Sequence, residues 1–156
     1  MKPVDLVFAV VSFLPMSCAL AQDPTPPAAG MQDNRQAVSL TVDERTWLLH
    51  EMRDNLTAIQ AIAAALEHGD VALVHQIADT KTTAAWNADT TRPPTIRAKL
   101  PDAWKAMAVA IHRGYDGIAE GAASQENTPQ LIGRVGRMMQ NCVACHTIYR
   151  LDPPPQ

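Results

Sequence analysis

Three side chains close to the C-terminal end, Cys142, Cys145 and His146, stand in the order C-x-x-C-H. That order is the attachment signature of a c-type haem. On a helix, two thiols three residues apart reach the two vinyl groups along one porphyrin edge and form thioethers with them. His146, four residues after Cys142, projects on nearly the same face and offers an imidazole nitrogen to the iron. The competing chemistries are poorer matches. A thioredoxin-type C-x-x-C wants a βαβ setting. A zinc site wants about four ligands, and the chain offers neither a second cysteine pair nor an H-x-x-x-H. A disulfide between Cys142 and Cys145 within a helix is strained. A thiol enzyme using these two cysteines stays as an alternative, separable by haem staining after denaturing electrophoresis.

The elements that must position these groups are helical. The chain has 156 residues, 47% of them hydrophobic and only 4% aromatic, with a formal charge of −3. Without a basic excess it is no general binder of nucleic acid, and its apolar content is too high for a wholly disordered chain. Lys2, the apolar run Leu6 to Leu14 and the small residues Ala19-Leu20-Ala21 read as a cleavable export signal over residues 1–21. That run is far short of the ~20 residues a membrane-spanning helix needs, so no stable span is expected after cleavage. Cys18 leaves with the signal, and the mature chain keeps Cys142 and Cys145 alone. Residues 22–39, rich in Pro and Ala, read as a flexible leader, and residues 40–156 as the folded domain.

Within that domain Thr41 to Glu44 forms a capping box that opens a first helix. Leu48, Met52, Leu56, Ile59, Ala63 and Leu66 are its expected apolar stripe. Gly69 closes it and Asp70 caps a second helix from about Val71 to Asn87, weakened in its middle by Thr80, Thr82 and Thr83. Thr90 to Leu100 is a crossover loop around Pro93-Pro94, and Pro101 suits the first turn of a third helix. Trp104, Ala108, Ile111, Tyr115, Ile118 and Ala122 stripe that helix, while Gly114, Gly117 and Gly121 share one face. Close approach of another helix or of a flat ligand would explain these glycines, and plain tolerance would too. A fourth helix starts near Thr128-Pro129 and carries Leu131, Val135, Met138, Cys142, Cys145 and Tyr149 on one side. Alternating apolar and polar runs are missing, so no sheet is expected. The fold class is all-α, an antiparallel four-helix bundle with haem on the C-terminal helix.

A haem motif at the end of a four-helix chain, with Cys142 to Arg150 reading C-x-x-C-H-x-x-Y-R, resembles the class II cytochromes c, that is, cytochrome c-prime and its low-spin relatives. Glu51-Met52-Arg53-Asp54-Asn55 with the Ala/Ile-rich run after it is similar to the first helix of the low-spin members. Lys99-Leu100-Pro101 with Trp104 is similar to the segment that opens helix three in the family. The likeness spans about residues 41–151. It implies one covalent haem c with His146 and Met52 as axial ligands, and Arg150 or, more weakly, Arg45 as a partner of a haem propionate. In the c-prime pattern an apolar residue blocks the sixth position instead. Arg45 and Leu49 fit that pattern, and the protein would then be five-coordinate and bind nitric oxide or carbon monoxide, with Met52 as core filler.

His50, His68 and His75, among polar neighbours, read as solvated. His112, beside Ile111, reads as a capped or half-buried histidine rather than a ligand. The expected function is single-electron transfer in the periplasm between redox partner proteins. The protein is not expected to be an enzyme. The resemblance also allows a homodimer.

Overall fold

The computed structural model describes residues 33–153. The expected export signal and the leader up to residue 32 lie outside the described residues. The described chain is mostly helical, with several helices packed together. In order the elements are β1 (Gln36–Val38), α1 (Val42–Glu67), α2 (Val71–Asp79), α3 (Thr83–Ala88), α4 (Ile96–Lys99), α5 (Asp102–Ala123), α6 (Thr128–Ile148) and β2 (Tyr149–Leu151). Helix α5 packs against α6, α2 and α3, and α1 packs against α2 and α6.

The helix ends follow from local chemistry. The capping box at Thr41 is complete: its hydroxyl accepts from the Glu44 N–H, and the Glu44 carboxylate accepts from the Thr41 N–H at 2.8 Å. Gly69 takes a φ of +67°, which ends α1 where a side chain would be strained, and the Asp70 carboxylate caps α2 through the Leu73 N–H. The expected second helix is two helices. Thr80 ends α2 by donating its hydroxyl to the Ile77 carbonyl, and the Thr82 hydroxyl restarts the chain as the N-cap of α3. The expected crossover loop contains the single turn α4, whose Ile96 is buried. Pro101 stands one place earlier than expected, as the N-cap residue of α5. A second capping box, Asn127 with Gln130, opens α6 where the fourth helix was expected.

Two expectations about the remaining chain are corrected. A sheet does form: β1 and β2 pair in parallel, Gln36 opposite Tyr149 and Val38 opposite Leu151. The last residues of the expected leader are thereby part of the fold. Strand β1 is a three-residue run without repeat, too short to leave an alternation signal. The stripe of α1 is also displaced. Leu56 and Ala63 face outward, whereas Ala58, Ile62 and Ala65 are buried beside Leu48 and Leu66. Successive steps of four residues outrun a 3.6-residue turn, so the core face passes from Met52 to Asn55 and Ala58.

The core has two clusters. One joins α1, α2, α5 and α6 through Ile62, Leu66, Val74, Tyr115, Ile118, Leu131 and Met138. The other gathers Val38, Leu48, Ile96, Trp104, Cys145 and Tyr149, with Met52, Leu100 and Met107 packed against it. Burying each large aliphatic side chain here contributes roughly 1.5–3 kcal/mol. The glycine face of α5 serves helix packing. A Cβ on Gly114 would stand 2.4 Å from Cγ of Met138, and one on Gly121 would stand 2.7 Å from Nε of Arg134.

Candidate functional site

The C-x-x-C-H segment lies wholly within α6, in its final turns. Cys145 is buried in the second core cluster, Cys142 is half-buried, and both are free thiols. Burial raises the Cys142 thiol, while burial and the neighbouring Cys142 push Cys145 up to about 11. Both sulfurs are therefore protonated at neutral pH, the opposite of the activated thiolate a thiol enzyme requires. The His146 side chain is exposed, and its backbone carbonyl accepts from Arg35 at 3.2 Å. No group of three or more His, Cys, Asp or Glu side chains converges among the described residues, so a metal held by those types alone has no seat there.

Against the Cys145 cluster opens an apolar cleft of about 130 Å³. Helix α1 supplies Trp47, Leu48, Glu51, Met52 and Asn55 to its wall. Trp86 comes from α3, Arg92 from the loop after it, and Ile96, Arg97 and Leu100 from α4 and its end. Helix α5 closes the far side with Trp104, Lys105, Ala108 and His112 among others. All three tryptophans of the chain line it.

The polar groups on the wall are fixed by their neighbours. His112 is buried, its Nδ1 lies 2.8 Å from the Lys81 carbonyl, and its ring stacks on Trp86 with centroids 4.6 Å apart. Burial lowers its basicity, so the ring is held neutral. It was expected as a capped or half-buried histidine; it is capped, and more deeply buried than expected. Arg92 lies over the Trp86 ring at 4.2 Å from its centroid and over Trp47 at 5.7 Å. Burial raises the Glu51 carboxyl above its ordinary range. Asn55 donates from Nδ2 to the Glu51 carbonyl and its own carbonyl accepts from the Tyr115 hydroxyl at 2.9 Å.

The residues expected from sequence divide into those the fold brings together and those it does not. Met52 lines the cleft and packs on the cluster that holds Cys145. Leu49 is half-buried and off the cleft wall, where its neighbour Leu48 stands instead. Arg45 donates to the Asp152 backbone carbonyl at 2.8 Å, and Arg150, in β2 rather than a last helical turn, pairs with the Asp152 carboxylate at 3.1 Å. Both arginines are thereby turned to a surface clasp at the end of α6, away from the cleft. His75 is half-buried against the Ala119 carbonyl rather than solvated. Sequence reasoning missed Trp86, Arg92 and the α4 turn as wall. Three tryptophans in so ring-poor a chain were the one available signal.

The donor chemistry fits a covalent haem. Two thiols stand at attachment spacing, and one of them packs in the same core cluster as the thioether of Met52, beside a cleft whose wall takes Met52 but neither thiol nor His146. The chain matches no family model, no curated protein and no solved structure. No helix among the described residues is long and apolar enough to cross a membrane.

Proposed function

We propose that this protein is a periplasmic c-type cytochrome of the class II kind, which carries single electrons between redox partner proteins and transforms no substrate of its own. In this reading α1, α2, α5 and α6 form an antiparallel four-helix bundle. The haem is fastened to α6 by thioethers at Cys142 and Cys145. His146 and Met52 are its axial ligands. When bound, haem c supplies a one-electron couple between ferrous and ferric iron, and a methionine ligand favours the ferrous state.

The observation that carries the reading is the C-x-x-C-H on an unbroken helix, with Cys145 turned into the same cluster as Met52 and the cleft beside it. The chain's own residues have defined tasks. The cysteines anchor, and His146, exposed and four residues from Cys142, presents a free imidazole edge. Met52 offers a soft sulfur from the opposite helix. Trp104, Leu48, Ile96 and Leu100 exclude water from the interior. A dry, aliphatic surround disfavours the extra ferric charge and adds to the effect of the methionine.

The test is expression of the full chain in cells with working haem-attachment machinery. Colour that stays with the polypeptide on a denaturing gel, and a mass raised by one haem, are expected. The ferric spectrum should show the weak far-red band of thioether ligation, and Met52→Ala should abolish it and leave high-spin iron. A colourless protein of apoprotein mass refutes the reading. A haem protein that is high-spin before mutation is instead the five-coordinate, gas-binding relative.

A further inference from the structure

The cleft is apolar in its depth and cationic at its rim. Its charged wall groups are Arg92 from the loop after α3, Arg97 from α4, Lys105 from α5 and one carboxylate, Glu51 from α1, with neutral His112 beside them. Arg92 is the most constrained of the cations. Its guanidinium stacks on Trp86, one Nη donates to the Trp86 carbonyl, and its buried Nε has no hydrogen-bond partner. A buried donor without an acceptor is a costly state that a bound oxygen would relieve. Arg97 is exposed, and Lys105 meets only Asp102, at 2.6 Å, whose own side chain is 98% exposed. Such a surface pair yields readily to a better partner.

We propose that Arg92, with Arg97 and Lys105 around it, holds a propionate carboxylate of the haem. The planar guanidinium suits bidentate capture of a carboxylate, and its stacking on Trp86 has already fixed its plane. This moves the propionate contact away from Arg45 and Arg150, which the fold commits to Asp152. The inference rests on the haem reading above.

Arg92→Gln in the haem-bearing protein tests it, beside Arg92→Lys and the control Arg45→Gln. Haem content is read by mass, and the reduction potential is followed across the range where carboxylates titrate. Arg92→Gln is expected to keep its covalent haem. Its potential should fall, because a cation that disfavoured ferric iron is gone. The pH-dependent stretch should move upward by about one pH unit or more, the loss of an opposite charge at contact. Arg92→Lys should recover part of both effects, and Arg45→Gln should match the wild type. Full haem content in Arg92→Gln with an unchanged potential and pH profile overturns the proposal. If Arg92→Gln does not fold, Arg97→Gln with Lys105→Gln, an exposed and a half-buried cation, carries the same test, and a wild-type profile there overturns it equally. A colourless wild type ends the haem reading itself, a result distinct from all of these.

Discussion

Replacing Gly114 with alanine sets two known effects against each other. Alanine is favoured over glycine within a helix by about 1 kcal/mol. Against that, the new Cβ would stand 2.4 Å from Cγ and 2.7 Å from Cβ of Met138. Cγ can swing away, but the Met138 Cβ is fixed to the α6 backbone, so α5 and α6 must part. Met138 is 2% exposed and packed in the first core cluster. Overpacking of this kind costs roughly 1–3 kcal/mol. Gly136 on α6 is the matched control, because a Cβ there meets nothing within 4 Å. Gly136→Ala is expected to gain up to about 1 kcal/mol in urea unfolding, from the same helix preference. Gly114→Ala should fall below Gly136→Ala by about 1–3 kcal/mol, the packing contribution alone. Combined with Met138→Gly, which removes the opposing Cβ as well, the packing cost of Gly114→Ala should largely vanish, as contacting residues couple. Equal midpoints for the two alanine variants would refute the close approach of α5 and α6.

Other consequences can be measured on the same protein. Lys99, then Thr95 and the Thr41 N–H, hold the Glu44 carboxyl at about 2, down from 4.5. The folded state therefore binds this proton less readily than the unfolded chain, so its stabilisation is complete above pH 4.5 and is lost as pH falls towards 2. Glu44→Gln should lower stability at neutral pH and flatten that acid slope, and an unchanged slope in urea titrations refutes the assignment. Tyr115 is fully buried with its hydroxyl on the Asn55 carbonyl. Tyr115→Phe should cost about 1 kcal/mol, and a more stable variant by thermal unfolding would contradict the bond.

What could be read from the chain was what neighbouring residues decide. Helix α6 was legible because its start and its apolar spacing are local, and Cys145 falls on the buried side as the spacing requires; its end was not, since Tyr149 to Leu151 form β2 before the prolines are reached. The α2–α3 break was half-legible, since three threonines announce a competition for backbone bonds without saying where it is lost. The register of α1 slipped because Leu56 is apolar while the core position beside it is Asn55, held by Tyr115 from α5. The rest depends on partners far apart in the chain. Glu44 read as a cap, yet its buried carboxylate also accepts from the Thr95 hydroxyl at 2.6 Å and pairs with the exposed Lys99 at 2.7 Å, both from beyond three helix ends. Arg45 read as an anion binder for the same reason, since its partner is the Asp152 carbonyl 107 residues on, whereas the Arg150–Asp152 pair lay within two residues and was legible.

That clasp bears on the site more than its position suggests. Four residues past Cys145 the chain leaves the helix at Tyr149, whose ring packs on Trp104 at 5.1 Å. The next residues pair with β1, and the Asp152 carbonyl takes Arg45 from the first turn of α1. The end of the helix that carries the cysteines is thus tied to the start of the helix that carries Met52. Helix α6 itself meets α1 along only part of its length, its main partner being α5. Without the strand pair and the Arg45 bond, the separation of Cys145 and Met52 would depend on side chains around an open cleft, which compress easily. With them, the backbone ladder of the strand pair and the Arg45 side-chain bond tie the two helix ends together. Under the proposed reading, a site that keeps one geometry while an electron comes and goes needs that kind of support, which would come from segments that carry none of the chemistry.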